Sequence, residues 1–169
     1  MNISKVKTAF KVAEFIPRNN NKNKISVNWF VDKTIQKDNR ARVYLIVVDN
    51  QIYKIGGSIS KGGIKNTLGS YTSSMGGTAS QNRYCLQLLI REELDKNKSV
   101  EVYLIQVEEV KGNVSGLFEV HEQLISPFKP MEDRCLSDYF ETHGNYPRWN
   151  FQERGEKLPY RKLKSSIVK

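Results

Sequence analysis

The sequence predicts an α+β protein: a small central antiparallel or mixed sheet flanked by helices. Three observations lead there. Residues 42–48 (Arg-Val-Tyr-Leu-Ile-Val-Val) and 51–56 (Gln-Ile-Tyr-Lys-Ile-Gly) are β-branched, apolar runs on either side of Asp49-Asn50, the pattern of a β-hairpin. Residues 81–97 carry two helical stripes, Tyr84 and Leu88 on one, Cys85 and Leu89 on the other, with Ser80 placed to cap. Residues 100–107 (Val-Glu-Val-Tyr-Leu-Ile-Gln-Val) return to strand character. Such an order buries its apolar faces by packing helices on one small sheet.

Taken in order, residues 4–16 read as an amphipathic helix, capped by Ser4, with Val6, Ala9, Phe10, Ala13 and Ile16 on one face. Pro17 and the run Asn19-Asn20-Asn21 end it. Residues 25–39 are ambiguous: Val27, Trp29 and Val31 alternate as in a strand, but Phe30 and Ile35 interrupt. After the hairpin, Gly56 to Ser80 reads as one long glycine- and serine-rich loop, of a length typical of functional segments. Residues 116–126 read as a helix stopped by Pro127, residues 132–143 as a further helix, and 145–150 as an irregular aromatic run. The core order is β–β–α–β–α. The 169 residues make one domain, with a basic N-terminal extension (1–41), a core (42–126) and a C-terminal extension with a basic tail (127–169).

Composition narrows the class of function. With 38% hydrophobic and 27% charged residues the chain is an ordinary globular one. The longest apolar run, Val43 to Val48, is far short of the ~20 residues of a membrane helix. No apolar segment of a signal peptide follows Lys5, Lys7 and Lys11. Cys85 and Cys135 are expected to be reduced thiols, so the expectation is a cytoplasmic protein with no membrane partner. The net charge is +9, divided as +7 over residues 1–42, −3 over 43–146 and +5 over 147–169. Basic ends around a slightly acidic centre suit a polyanion held against a cation site. Gly-x-x-x-x-Gly-Lys-Ser/Thr and Gly-x-Ser-x-Gly are both absent, and His121 and His143 have no metal-ligand spacing.

The hairpin carries the sharpest local signal. It contains Arg42-Val43-Tyr44 on its first strand and Lys54-Ile55-Gly56 on its second, with Ser58 two residues on. These triplets resemble those of the GIY-YIG nuclease superfamily, some branches of which have Lys-Ile-Gly on the second strand. The order of elements over 42–126 is also similar. The resemblance implies phosphodiester hydrolysis with one divalent metal, Mg²⁺ or Mn²⁺, held by a helix glutamate. It also implies a tyrosine at the attacking end and an arginine on the first core helix gripping the phosphate.

Carried onto this chain, the resemblance assigns Tyr44 to the water-orienting or basic tyrosine and Lys54 to the second-strand position, with Tyr53 as the alternative. An ordinary tyrosine titrates near ~10, so a base role requires nearby positive charge, which Lys54 could supply. Arg83 falls at the start of the 81–97 helix, where the macrodipole disfavours a cation unless a phosphate is bound; Arg91 fits surface pairs with its acidic neighbours better. Gln87 stands where the family often has histidine or tyrosine, and Tyr84 is the substitute. Glu122 and Glu119 are the candidate metal ligands, Glu122 preferred for its Glu-Gln-Leu-Ile context. Asn150, in Pro147-Arg148-Trp149-Asn150, resembles an asparagine that follows a proline in many members.

Lys61, Lys65, Ser70, Tyr71, Thr72, Ser73 and Ser74 in the long loop, with Arg148 and Asn150, could contact DNA, and Arg154, Lys157, Arg161, Lys162 and Lys164 could follow its backbone. The expectation is a Mg²⁺-dependent, sequence-specific double-stranded DNA endonuclease of the type II restriction kind, acting as a homodimer on DNA. The alternatives are a non-catalytic nucleic-acid-binding protein and a restriction nuclease of another fold. The latter lacks its Pro-Asp…Asp/Glu-x-Lys signature, since Glu101-Val102-Tyr103 has no lysine.

Overall fold

The structure is a computed structural model that describes residues 1–18, 21–73, 81–106 and 108–159. Its centre is a five-stranded, wholly antiparallel sheet made of β1 (Phe10–Arg18), β2 (Asn21–Trp29), β3 (Arg42–Val48), β4 (Gln51–Ser58) and β5 (Val100–Gln106), in the order β2-β1-β5-β3-β4. The helices are α1 (Lys33–Gln36), α2 (Gly63–Thr72), α3 (Gln81–Asp95) and α4 (Phe128–His143). A separate hairpin of β6 (Val110–Ser115) and β7 (Val120–Ile125) completes the chain. The α+β expectation holds.

Strand β3 is buried along its whole length, so its alternating side chains feed two cores. Tyr44, Ile46 and Val48 pack with Ile64, Leu68 and Tyr71 of α2 and with Leu86 and Ile90 of α3. Val43, Leu45 and Val47 pack with Leu136 and Tyr139 of α4. Burying side chains of this size stabilises the fold by roughly 1.5–3 kcal/mol each.

Three elements differ from the sequence expectation. Residues 4–16 form a 3₁₀ turn (Ile3–Lys5) and strand β1, with Pro17 inside the strand. A bulge between Lys11 and Ala13 in the pairing with β5 buries the neighbours Val12 and Ala13 together, and this breaks the two-residue period. Strand β1 and its partner β2 give the N-terminal extension two of the sheet's five strands. The ambiguous stretch 25–39 divides into the end of β2 and α1, where Asp32 accepts hydrogen bonds from the Thr34 and Ile35 amides.

Within the expected loop 56–80 lies helix α2, whose Ile64, Leu68 and Tyr71 form a buried stripe among glycines and serines. Residues 116–126 are the turn and second strand of the β6–β7 hairpin rather than a helix. That hairpin buries neither face, so its apolar spacing carries no information about a core. Pro127 does not stop a helix but is the N-cap of α4.

Strand β4 is an edge, and its outward polar groups are covered at every second residue. The Trp149 amide donates to the Tyr53 carbonyl at 2.7 Å. Asn150 binds both backbone groups of Ile55, accepting from its amide and donating to its carbonyl, each at 2.9 Å. The Gly57 amide donates to Glu132 Oε1 at 2.6 Å. An edge sealed in this way offers no template for another strand. Both cysteines are free thiols, and no helix among the described residues is long and apolar enough to cross a membrane.

Candidate active-site cleft

Helices α2 and α3 cover the sheet face that carries Tyr44, and between them and β4 opens a cleft of about 580 Å³. Its floor is Tyr44. Its walls carry the hydroxyls of Ser58, Ser60, Thr67, Ser70, Tyr71 and Ser73, together with Asn66 and Arg83. Ser58 and Thr67 hydroxyls are 2.7 Å apart, and Ser70 and Ser73 bond back to carbonyls of their own helix at 2.7 and 2.8 Å. A lining of hydroxyls and one guanidinium, with no carboxylate, suits an anion.

The phenols of Tyr44 and Tyr71 share a hydrogen bond of 2.5 Å. Tyr44 reaches this place because it faces Gly56 across the β3–β4 ladder. A Cβ on Gly56 would lie 2.6 Å from Tyr44 Oη, so the close approach of the ring requires glycine. Burial pushes the Tyr44 pKa well above its ordinary 10, with the Tyr71 phenol and the Glu132 carboxylate adding to the rise and Arg83 opposing it. Burial raises Tyr71 as well, against the hydrogen bond from Tyr44 and the charge of Arg83. The expectation that Lys54 lowers the Tyr44 pKa is therefore overturned: Tyr44 is a protonated phenol at neutral pH.

Arg83 sits in the first turn of α3, exposed, and its charge reaches both phenols. Lys54 pairs with Ile46 in the ladder and so lies on the Tyr44 face of the sheet. Burial lowers its pKa below the ordinary 10.5, while Glu153 and Glu132 act in the opposite sense. Tyr53 is the unpaired residue of a bulge in β4, and its ring takes Trp149 edge-on at 5.2 Å. It is a packing residue.

The structure does not bring Glu122 or Glu119 to the cleft. Both are highly exposed on the β6–β7 hairpin, Glu122 beside Lys111 at 3.5 Å and Glu119 beside His121 at 3.7 Å. No helix presents them, which removes the ground for their assignment. The acidic residue next to the site is Glu132 on α4, which sequence reasoning missed. Its Oε1 is held by the Gly57 amide, and its Oε2 lies 3.5 Å from Lys129 Nζ. A Cβ on Gly57 would lie 2.9 Å from Glu132 Oε2, so this glycine too is a condition of the geometry. The available signal was an acidic pair, Glu132-Asp133, on the helix that follows the misread 116–126 segment, and nothing in its local pattern distinguishes it from a solvated helix face.

Asn150 does not face solvent as a DNA contact would: it is 1% exposed, and both polar atoms of its amide are bonded to the Ile55 backbone, so it clamps an edge strand. Ser70, Tyr71 and Ser73 line the cleft, and Lys61 and Lys65 are exposed just before and on α2. Arg148 is exposed with its guanidinium 5.6 Å from the Tyr53 ring centre. Arg154 is engaged by Glu156 at 2.6 Å. Ser74, Ser80, Arg161, Lys162 and Lys164 lie outside the described residues.

No family model matches the chain, and no curated protein matches it in sequence. Among solved structures it is similar to restriction endonuclease HPY188I in complex with product DNA, at a TM-score of 0.49 and 25% identity, covering 83% of this chain and 78% of that one. It is also similar to a mutant of bacteriophage T4 EndoII, at a TM-score of 0.57 and 14% identity, covering 88% of this chain and 95% of that one. The chain thus shares the fold of T4 EndoII over nearly the whole of both molecules.

Proposed function

We propose that the protein is a Mg²⁺- or Mn²⁺-dependent DNA endonuclease of the GIY-YIG type. The observation that carries this reading is the Tyr44–Tyr71 phenol pair at the base of a hydroxyl-lined cleft, with Arg83 and Gly57 in its lining and Glu132 held by the Gly57 amide. The fold shared with T4 EndoII is consistent with it. Sequence-specific cutting of double-stranded DNA, and two copies acting together on the two strands, belong to the same proposal, as does a cytoplasmic location.

The donor set near the cleft fits a single hard cation. Among the described residues no group of three or more histidine, cysteine or acidic side chains is gathered, so a full protein cage is not on offer. Mg²⁺ needs only one or two carboxylates and keeps several waters, and Glu132 supplies one carboxylate held in place by a backbone amide. When bound, such an ion offsets the negative charge that develops on the phosphate.

The chain's own residues do the rest. Arg83 and the helix N-terminus around it grip the scissile phosphate, and the serine and threonine hydroxyls of α2 fix its neighbours. Tyr44 stays protonated, so it orients the attacking water by hydrogen bonding, and Tyr71 sets the direction of the Tyr44 proton. The water oxygen bonds to phosphorus as the P–O bond to the leaving sugar oxygen breaks. Lys54, on the same sheet face as Tyr44, accepts the proton from the water, and the leaving oxygen is protonated from solvent.

Purified protein incubated with phage or plasmid DNA, with Mg²⁺ or with EDTA, tests this on a gel. Discrete fragments with Mg²⁺ alone are expected. A smear would overturn the sequence specificity. DNA that shifts in mobility but stays intact would favour a binding protein. Lys54→Arg, which places a permanent cation there and does not accept a proton, should lose at least about 10²-fold in rate. Full activity in that variant would remove Lys54 as proton acceptor.

A further inference from the structure

The β6–β7 hairpin stands apart from both cores, its strands pairing only with each other. Its tip is closed by the Gly116 amide donating to the Glu119 carbonyl at 2.8 Å. That turn holds Leu117 and Phe118 at 94% and 97% exposure. Val120 and Leu124 are exposed as well. A lone two-stranded hairpin is marginal in water, and a cluster of bare apolar side chains marks a surface that meets a partner. Charge selects the partner. Residues 108–125 carry Glu108, Glu109, Glu119 and Glu122 against Lys111, net −3, whereas the rest of the chain carries +12. An acidic arm is repelled by phosphates and attracted by the remainder of this molecule.

A complementary receptor exists on the α4 side of the sheet. A cavity of about 330 Å³ has Leu45 and Ile55 in its floor and Cys135 and Tyr139 in its wall, with the exposed Lys5 and Lys7 also lining it. The one acid that lines it, Asp138, is paired with Arg134 at 2.5 Å. We infer that the hairpin of one copy seats its Leu117–Phe118 tip in this cavity of a second copy, with Glu119 facing Lys5 and Lys7, and that the reciprocal exchange closes a twofold dimer. The inference is independent of the nuclease reading, because it uses no residue of the cleft.

The cavity supplies its own reporter, since Cys135 lines it while Cys85 is fully buried. In the full chain, Phe118→Cys oxidised with copper–phenanthroline, which removes one hydrogen from each thiol, should give a covalent dimer on a non-reducing gel. The dimer should vanish when Cys135→Ser is added. A dimer that survives Cys135→Ser would mean tip-to-tip contact and overturn the cavity as receptor. By sedimentation velocity, wild type should self-associate. Lys5→Glu combined with Lys7→Glu should weaken association by on the order of 10-fold, and adding Glu119→Lys should restore it. A wild-type monomer at all concentrations would overturn the inference. So would Phe118→Ser protein that associates normally but binds DNA more weakly, which would make the tip a wedge between bases.

Discussion

The Gly57 amide donates to Glu132 Oε1 at 2.6 Å, a bond that ties helix α4 to the edge strand β4 and holds a carboxylate whose charge reaches Tyr44. Glu132→Gln keeps an acceptor for that amide but removes the negative charge. Cleavage should fall by at least about 10²-fold, with little change in melting temperature. Glu122→Gln, on the outlying hairpin, should cut as wild type does. The reverse pattern, measured by fragment formation over time, would return the metal site to the hairpin.

The Tyr44 phenol is buried and hydrogen-bonded to Tyr71, and burial pushes its pKa well above the ordinary 10. The neutral form is favoured in the fold, and the unfolded chain ionises near 10. Stability is therefore complete below about pH 10 and declines as pH rises beyond it. In a spectrophotometric titration at 295 nm, Tyr44→Phe and wild type should rise equally from pH 8 to about 11. A rise smaller by one tyrosine would show that Tyr44 ionises normally.

Asn150 satisfies both backbone groups of Ile55 from within the fold. Asn150→Ala leaves a buried amide and a buried carbonyl unpaired, at a cost of about 2–4 kcal/mol. Urea unfolding should show this as a lower midpoint. A change in DNA affinity without loss of stability would contradict the clamp.

Glu93 is 4% exposed, and burial alone would raise its pKa. Hydrogen bonds from Lys98 at 2.6 Å and Lys96 at 3.2 Å outweigh burial and hold it below the ordinary 4.5. The stability it adds is present above pH 4.5 and is lost as pH falls through the lower folded value. Both lysines are partly in water, so Glu93→Gln should cost about 1–2 kcal/mol at pH 7, less than a fully buried pair. The gap should narrow as pH falls below 4.5, which thermal melts at pH 7 and at successively lower pH would read.

Legibility followed burial. The β3–β4 hairpin, α3 and β5 were readable because each presents a regular apolar period to a core. Tyr44 and Arg83 were readable as residues, and the cleft brings them together with Ser70, Tyr71 and Ser73. Strand β1 was not, because its bulge puts Val12 and Ala13 on one buried surface and imitates a helical stripe. The β6–β7 hairpin was not, because strands with two wet faces have no period to display. Glu132 was hidden behind that misread segment, which supplied glutamates at a helical spacing where no helix exists.

By itself the sequence determined the class of fold and the hairpin at its centre, since these depend on local backbone preference and side-chain alternation. Only the tertiary structure decided which acid stands by the tyrosines and what Asn150 does. A carboxylate on α4 and an amide on β4 are 75 residues apart in the chain. Nothing in the local pattern of either segment encodes a contact made only when helix α4 docks against the edge of the finished sheet.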